Sequence, residues 1–370
     1  MNTKKLVYAA LSGAASVAFV FTPAIASTES GASNNQTGAD SYNNASVSVS
    51  NDVNITQGNT LVVTNSISIN SNTGGNKADK NTGSASISTG DANASVDVST
   101  SGNSNELTLN LGAMGDPSAS NSKTGADSWN KAKVDVDNDV DVSQLNMAVV
   151  TNDVDAKANT GKNEANKNTG DASIDTGDSD VEVTVSTDVN NNDLTVDGLG
   201  SGDLSASNEK TGADSWNKAK VDVDNNLNIK QGNTLLVDNE VDVCVNTGKN
   251  EANKNTGGEP SIDTGDADVM VSLDTTGNSN EATVDASVDG DWSTSNSDTG
   301  YNSDNKAKVD VDNDVDVSQL NNAVVTNDGD IHANAGWNKA DKNTGDAQVS
   351  TGDTDVEVSV STDVNSNALD

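Results

Sequence analysis

One phrase occurs four times in this chain of 370 residues and constrains its architecture more than any other feature. It reads T-G-x-x-S-x-N-x-A-x-V-x-V-x-N-x-V/L-x-V/I and begins at Thr37, Thr124, Thr211 and Thr299, so successive copies are 87, 87 and 88 residues apart. Self-similarity at a fixed period is typical of chains that stack one supersecondary unit. Such a chain presents columns of equivalent residues rather than one unique site.

The first 26 residues have the composition of a secretory signal peptide. Lys4 and Lys5 precede an apolar run, and Ala24-Ile25-Ala26 forms a small-x-small cleavage site. The run is shorter than the ~20 apolar residues of a spanning helix, so we expect a secreted, extracellular or cell-surface protein without membrane insertion after cleavage. The rest divides into a linker (27–36) and four repeats: 37–123, 124–210, 211–298 and a shorter fourth, 299–370.

The charge balance limits the partners of the chain. It carries 20 basic and 57 acidic residues, and its formal net charge is −37. Phosphate binding needs clustered Lys and Arg, so a nucleic acid partner is not expected. Cys244 and His332 are the only residues of their kinds, which excludes a disulfide framework and argues against His/Cys metal clusters or a catalytic triad. No catalytic residue and no certain cofactor is therefore predicted.

The fold is predicted from alternation. Every second residue from Asn130 to Thr160 belongs to one face of Val, Ala, Asn, Gln and Thr, and most residues of the other face are polar, with many Asp. This period is that of a half-buried strand and outweighs a composition that resembles disordered chains. A straight strand of 30 residues would be roughly 100 Å long, so shallow bends are expected. We predict an all-β, elongated β-solenoid of four tandem repeats, with about four ~22-residue coils in each repeat.

Amide side chains recur on the inward face. An unpaired buried amide costs about 1–3 kcal/mol, but a ladder of equivalent amides on successive coils satisfies it. Exposure at bends is the alternative reading. The predicted ladder residues are Asn130, Asn138, Gln144, Asn146, Asn152, Asn217, Asn225, Gln231, Asn233 and Asn239.

Three further columns are read from the repeat. The glycines of the Thr-Gly pairs, such as those after Thr160 and Thr176, are expected to supply positive φ at tight corners. Tyr42, Trp129 and Trp216 hold one equivalent position, either as platforms for sugar rings or as fillers of the seam between repeats. Cys244 and His332 also share a repeat position, and four coils per repeat would separate them by about 19 Å.

The outward face carries columns of acidic residues. Stacked carboxylates repel one another, and Ca²⁺, which takes six to eight oxygen ligands, would relieve the repulsion. A solvated acidic face, partly balanced by lysines, is the competing reading. The candidate calcium ligands are Asp135, Asp137, Asp139, Asp141, Asp222, Asp224, Asp310, Asp312, Asp314 and Asp316.

The Asn/Gln face and the runs G-K-N-E-A-N-K-N at Gly161–Asn168 and Gly248–Asn255 resemble curlin repeats, which stack hairpin-like coils through internal Gln and Asn. The whole unit also resembles secreted Asn/Thr/Gly-rich repeat proteins of bacterial cell surfaces. The second resemblance implies no known activity. From the repeated geometry and the acidic face we expect a non-enzymatic structural or adhesive protein of the cell surface or extracellular matrix. Its expected partners are other copies of itself, by end-to-end or lateral assembly into fibres, or cell-surface components.

Two other functions stay open at this point. A calcium-dependent extracellular binding module would use the Asp columns. A polysaccharide-acting enzyme on a β-helix would need two carboxylates, but a site used once should interrupt the repeat, and the acidic residues show no such interruption.

Overall fold

The computed structural model describes residues 5–13, 16–21, 30–110, 115–200 and 202–370. Within these residues the chain forms 18 strands and no helix, which confirms the all-β prediction. In chain order the strands are β1 (Lys5–Gly13), β2 (Ser16–Phe21), β3 (Gly31–Asn35), β4 (Tyr42–Asn72), β5 (Ala85–Ser88), β6 (Ala92–Asn110), β7 (Ser118–Thr124), β8 (Trp129–Asn159), β9 (Ala172–Asp175), β10 (Ser179–Asp197), β11 (Leu204–Thr211), β12 (Trp216–Asn246), β13 (Ser261–Asp263), β14 (Ala267–Asp285), β15 (Trp292–Ser297), β16 (Asp304–Asn334), β17 (Gln348–Ser350) and β18 (Thr354–Leu369).

Each repeat forms a single rung of a parallel β-solenoid. The 31-residue strands β4, β8, β12 and β16 make one sheet in that spatial order, and Asn130 pairs with Asn43 on one side and Asn217 on the other. The same order holds for β3-β7-β11-β15, β5-β9-β13-β17 and β6-β10-β14-β18. The predicted solenoid of four tandem repeats is therefore confirmed, with all strand pairs parallel and in register.

The prediction of about four short coils per repeat was wrong. Trp129–Asn159 is one strand, paired with its equivalents along its whole length, and the chain does not turn within it. The unbroken alternation was therefore the mark of a long strand rather than of bends. Typical strands are short because globular domains are small, whereas here each rung is aligned by an almost identical neighbour.

Two layers face each other across a thin core. The long strand runs one way, and β10 and β11 return antiparallel above it. Three hydrophobic clusters show this: Val154 packs with Val183, Val140 packs with Leu194, and Ala132 packs with Leu204. From cluster to cluster in this order, residue numbers decrease on the long strand and increase on the returning strands, as antiparallel layers require. The short sheet that contains β9 closes the far corner over its own cluster around Ile174. Four rungs spaced by ~4.8 Å make a stack only about 14 Å high between the first and last backbones, so the molecule is long within the plane of each rung.

At the Thr-Gly corners, glycine lets the backbones of neighbouring rungs approach closely. The prediction that these glycines have positive φ was wrong for most of them. A Cβ on Gly161 would lie 2.1 Å from the carbonyl oxygen of Gly248 in the next rung, and Gly74 has the same relation to Gly161. The left-handed residues are Lys162 and Lys167, with φ of +60° and +61°. Gly257 does have a positive φ, +85°, at the corner where the third repeat carries one extra residue.

The segment predicted as a signal peptide meets the first rung. Strands β1 and β2 pair with β6, Lys5 opposite Ala92 and Ser16 opposite Ser104, on the edge of β6 that β10 does not occupy. The proposed cleavage site lies outside the described residues. In the part of the chain that the structure describes, no helix is long and apolar enough to cross a membrane.

Candidate functional site

Amide ladders run through the core, one step per rung. Asn130 donates from Nδ2 to Oδ1 of Asn217 at 2.8 Å and accepts from Asn43 at the same distance. The column at Asn138 has 2.6 Å steps and that at Asn152 has 2.7 Å steps. The ten residues named from the sequence all lie in such ladders, and their burial contradicts the reading as exposed bends: Asn130, Asn138, Gln144, Asn146, Asn152, Asn217, Asn225, Gln231, Asn233 and Asn239.

A second pair of ladders lies on the returning strands and was missed from the sequence. Asn105 donates to Asn192 at 2.9 Å, and Asn192 donates to Asn280 at 2.8 Å. Asn192 also receives a 2.9 Å hydrogen bond from Asn146 of the opposite layer, so this ladder connects the two sheets. The recurrence of Asn in Gly102-Asn103-Ser104-Asn105 and Gly277-Asn278-Ser279-Asn280 could have revealed it.

Lysines neutralise the first acidic column of the outward face. Lys133 Nζ lies 2.6 Å from Asp135 in its own rung and 3.7 Å from Asp222 in the next rung. Lys220 repeats this arrangement with Asp222 and Asp310. The hydrogen bond that Lys220 donates to Asp222 raises the pKa of Lys220, and the hydrogen bond that Lys308 donates to Asp310 lowers the pKa of Asp310. The column is therefore a chain of alternating charges rather than a stack of bare carboxylates.

Amides interrupt two further columns. Asn226 donates to Asp139 Oδ1 at 2.9 Å, and Asn228 donates to Asp141 Oδ1 at 3.0 Å, each from one rung to its neighbour. A neutral donor beside a carboxylate replaces like-charge repulsion with a charge-assisted hydrogen bond. The Asn residues that the third repeat carries at these two positions thus place neutral donors beside the acids of the second rung.

One acidic column has neither lysine nor amide within the rungs that carry it. Asp137, Asp224 and Asp312 are register partners on three successive strands. Partial burial, and after it the charges of Asp137 and Asp312, raise the pKa of Asp224 above its ordinary value. Among the described residues, no group of three or more His, Cys, Asp or Glu side chains has the arrangement of a metal site. The ten candidate calcium ligands thus lie in parallel columns, and calcium binding stays a prediction.

The three equivalent aromatic side chains stack on one another. The rings of Tyr42 and Trp129 are 4.2 Å apart at 9°, and those of Trp129 and Trp216 are 4.8 Å apart at 5°. They fill the step between successive rungs, as one of the two readings expected. Most ring faces are covered by the neighbouring ring, so a flat sugar would find a free face only at an end of the stack.

Cys244 and His332 are direct neighbours, which corrects the expected separation of about 19 Å. They are register partners on β12 and β16, because one repeat is one rung. His332 Nε2 lies 3.2 Å from Asp330 Oδ1, and both of these side chains are more than two-thirds exposed. Cys244 is an exposed free thiol on an open face.

No protein-family model, curated protein or solved structure matches this chain. Its candidate sites must therefore be judged from their own geometry.

Proposed function

We propose that this chain is a secreted, non-enzymatic structural or adhesive protein of a cell surface or extracellular matrix. The observation that carries the proposal is that chemically distinctive residues occur as columns. The amides, acids, lysines and aromatics recur from rung to rung in register, as in the ladders of Asn130 and Asn138. A repeated column suits a scaffold or a repetitive binding surface, whereas catalysis needs a group that is placed once.

The rigidity of such a scaffold follows from its hydrogen bonding. Every internal rung is joined to both neighbours by continuous backbone pairing and by buried amide ladders. Identical side chains stacked in register are the arrangement that gives cross-β assemblies their stability. The acidic outward face keeps such a surface hydrated and repels other copies laterally.

Export and location test this proposal directly. The full chain is expressed with its own leader in a bacterial host, and the product is fractionated and sequenced from its amino terminus. We expect a product that begins at Ser27 outside the cytoplasm, with immunogold label on the surface or in the matrix. A chain that stays in the cytoplasm with residues 1–26 intact would overturn the proposal.

Calcium-dependent binding is the second candidate, favoured by the column of Asp137, Asp224 and Asp312. These carboxylates have no lysine between them, and the pKa of Asp224 is raised. Calorimetry with Ca²⁺ on the parent and on Asp224→Asn tests this candidate, together with circular dichroism in EDTA. Heat of Ca²⁺ binding that is present in the parent and absent in Asp224→Asn would support a calcium module. A parent that releases no binding heat and has the same β spectrum with Ca²⁺ and with EDTA would support the metal-independent scaffold instead.

A further inference from the structure

The fourth rung is the last of the described rungs, and its core side chains are uncovered. Val309, Val311 and Val315 point into the core, yet they are 39%, 41% and 39% exposed. Their equivalents in the second rung, Val134, Val136 and Val140, are at most 4% exposed. The returning strand behaves in the same way, with Val356, Val358 and Val360 about half exposed. An apolar stripe and an unpaired strand edge thus lie side by side, which is a template for a further strand layer.

We propose that this end binds the first rung of a second copy of the chain, so that copies stack head to tail into one continuous solenoid. The inference deepens the proposed function, on which it rests, by naming the partner and the surfaces. A heterologous contact of this kind does not close and therefore produces an open filament. Each added copy would lengthen the filament by four rungs, roughly 19 Å.

The outward charges of the first and fourth rungs are complementary. Placed in the register that the internal rungs use, Asp310, Asp312 and Asp316 of the fourth rung would lie over serine or asparagine of the first. The same holds for Asp328 and Asp330. The neutral first-rung residues that meet these five acids are Ser48, Ser50, Asn54, Ser66 and Ser68.

The new junction would carry less repulsion than an internal one. On the long strands, the third and fourth rungs already place acid over acid four times: Asp222/Asp310, Asp224/Asp312, Glu240/Asp328 and Asp242/Asp330. The junction between copies would have one such pair on this face, Asp314 over Asp52. Two fourth rungs could meet by their free edges, with both outward faces on one side, only as antiparallel strands, an arrangement that the described sheets do not use. The parallel register and the charge pattern therefore favour head-to-tail contact.

Contacts of the proposed type already occur inside the stack. Ser66 of the first rung donates to Asp153 Oδ2 at 3.3 Å, and Asn228 donates to Asp141. The neutral residues of the first rung are thus of the two types that the interior uses beside carboxylates.

The amide ladders have a direction, and their two ends match. Asn103 donates to Asn190, Asn190 to Asn278 and Asn278 to Asn365. Within the described part of the chain, Asn103 Oδ1 is buried and has no hydrogen-bond partner, so the ladder begins with an orphan acceptor. It ends at Asn365, whose Nδ2 group is equivalent to the group that donates in each lower step. Head-to-tail stacking would join that donor to the Asn103 acceptor of the next copy.

The edge of β6 is seen to accept an added strand in this register. Lys5 of β1 pairs with Ala92, and Ala92 is equivalent to Ser179, Ala267 and Thr354. β1 therefore occupies the place that β18 of another copy would take. Among the described residues, β1 and β2 pair with β6 alone, so the strand pairing of the other three sheets does not involve them. Removal of residues 1–26 would take away β1 and β2 and leave this edge of β6 unpaired, so the cleaved chain is the form that should assemble.

The test uses residues 27–370, followed by sedimentation velocity and negative-stain electron microscopy at low salt. The parent should form filaments one solenoid wide. The variant Ser48→Asp/Ser50→Asp/Asn54→Asp should lower the elongation rate at least about tenfold, the change that ~1.4 kcal/mol of repulsion produces. Adding Asp310→Ser/Asp312→Ser/Asp316→Asn to that variant should restore growth, because it exchanges the charges across the junction.

A matched control carries three new acids away from both ends, Ser143→Asp/Thr151→Asp/Thr184→Asp in the second rung. It has the same net charge as Ser48→Asp/Ser50→Asp/Asn54→Asp, the blocked variant, and should elongate like the parent. Circular dichroism verifies that all variants keep their β fold. The inference is overturned if the folded parent stays monomeric, if the blocked variant grows at the parental rate, or if the charge exchange fails to rescue it. An exported but monomeric chain would overturn this junction alone, whereas a cytoplasmic chain would overturn the proposed function.

Discussion

At the scale of single residues, some glycines of the Thr-Gly corners have no room for a side chain, as Gly74 and Gly161 show. Gly161→Ala would place a Cβ 2.1 Å from the carbonyl oxygen of Gly248 and force two rungs apart. We expect a loss of about 1–3 kcal/mol or more in unfolding free energy, the range of overpacked sites. Gly58→Ala is the control, because its Cβ would meet nothing within 4 Å. Urea denaturation of both variants checks the difference, and equal stabilities would contradict the close approach.

The buried amides make a second residue-scale prediction. Asn152 both donates to Asn239 and accepts from Asn65, at 2.7 Å each. Asn152→Ala would orphan a donor on one side and an acceptor on the other, at about 1–3 kcal/mol for each buried group. Thr151→Ala changes the adjacent outward residue and should stay within ~0.5 kcal/mol of the parent. Thermal unfolding measures both, and a stable Asn152→Ala variant would show that the ladder contributes little.

At the scale of the strand, the free energy of unfolding should depend on pH through two carboxylates, Asp224 and Asp285, whose contributions have opposite signs. Burial and neighbouring acids raise the pKa of Asp224, so its contribution favours folding below the unfolded pKa and is lost as pH rises through the folded pKa. Asp224→Asn should therefore stabilise the protein at pH 7 by less than about 1 kcal/mol, and the gain should vanish below pH ~3.8.

Asp285 provides the control of opposite sign. Its pKa is lowered by the backbone N–H of Ser287, 2.9 Å from Oδ1, so its stabilisation is present above the unfolded pKa and is lost as pH falls. Asp285→Asn should therefore destabilise the protein at pH 7. Chemical denaturation at several pH values compares the two variants, and shifts of the same sign would contradict the assignment.

The strand elements also show what the sequence could and could not predict. Alternation assigned the inward and outward faces correctly along Trp129–Asn159, and the need to satisfy buried amides led to the Asn and Gln ladders. The rung length was beyond reach, because alternation has the same period in one long strand and in several short ones. The roles of Asn226 and Asn228 beside Asp139 and Asp141 likewise required knowing which rungs are neighbours.

At the scale of the whole molecule, the period of the sequence equals the period of the structure. A rung of 87 or 88 residues places every residue beside its own equivalent, so one favourable column is repeated wherever the repeat occurs. Charges stacked in this way repel one another unless a neighbouring residue offsets them, as Lys133 and Asn226 do in their columns. The column of Asp137, Asp224 and Asp312 has no such residue. The same rule explains why a first-rung long strand with one acid, Asp52, suits the acidic long strand of the fourth rung.

The separation of equivalent residues in the first and fourth rungs tests this account most directly. Thr60 and Asn322 are outward-facing members of one column, with Met147 and Thr234 between them. Nitroxide labels on Thr60→Cys/Asn322→Cys, with Cys244→Ser and an excess of unlabelled chain, report the distance by electron paramagnetic resonance. Three rung steps predict about 14 Å between the backbones, whereas four coils per repeat would give about 58 Å. A distance distribution centred beyond ~40 Å, nearer the spacing of stacked short coils, would contradict the single-rung repeat.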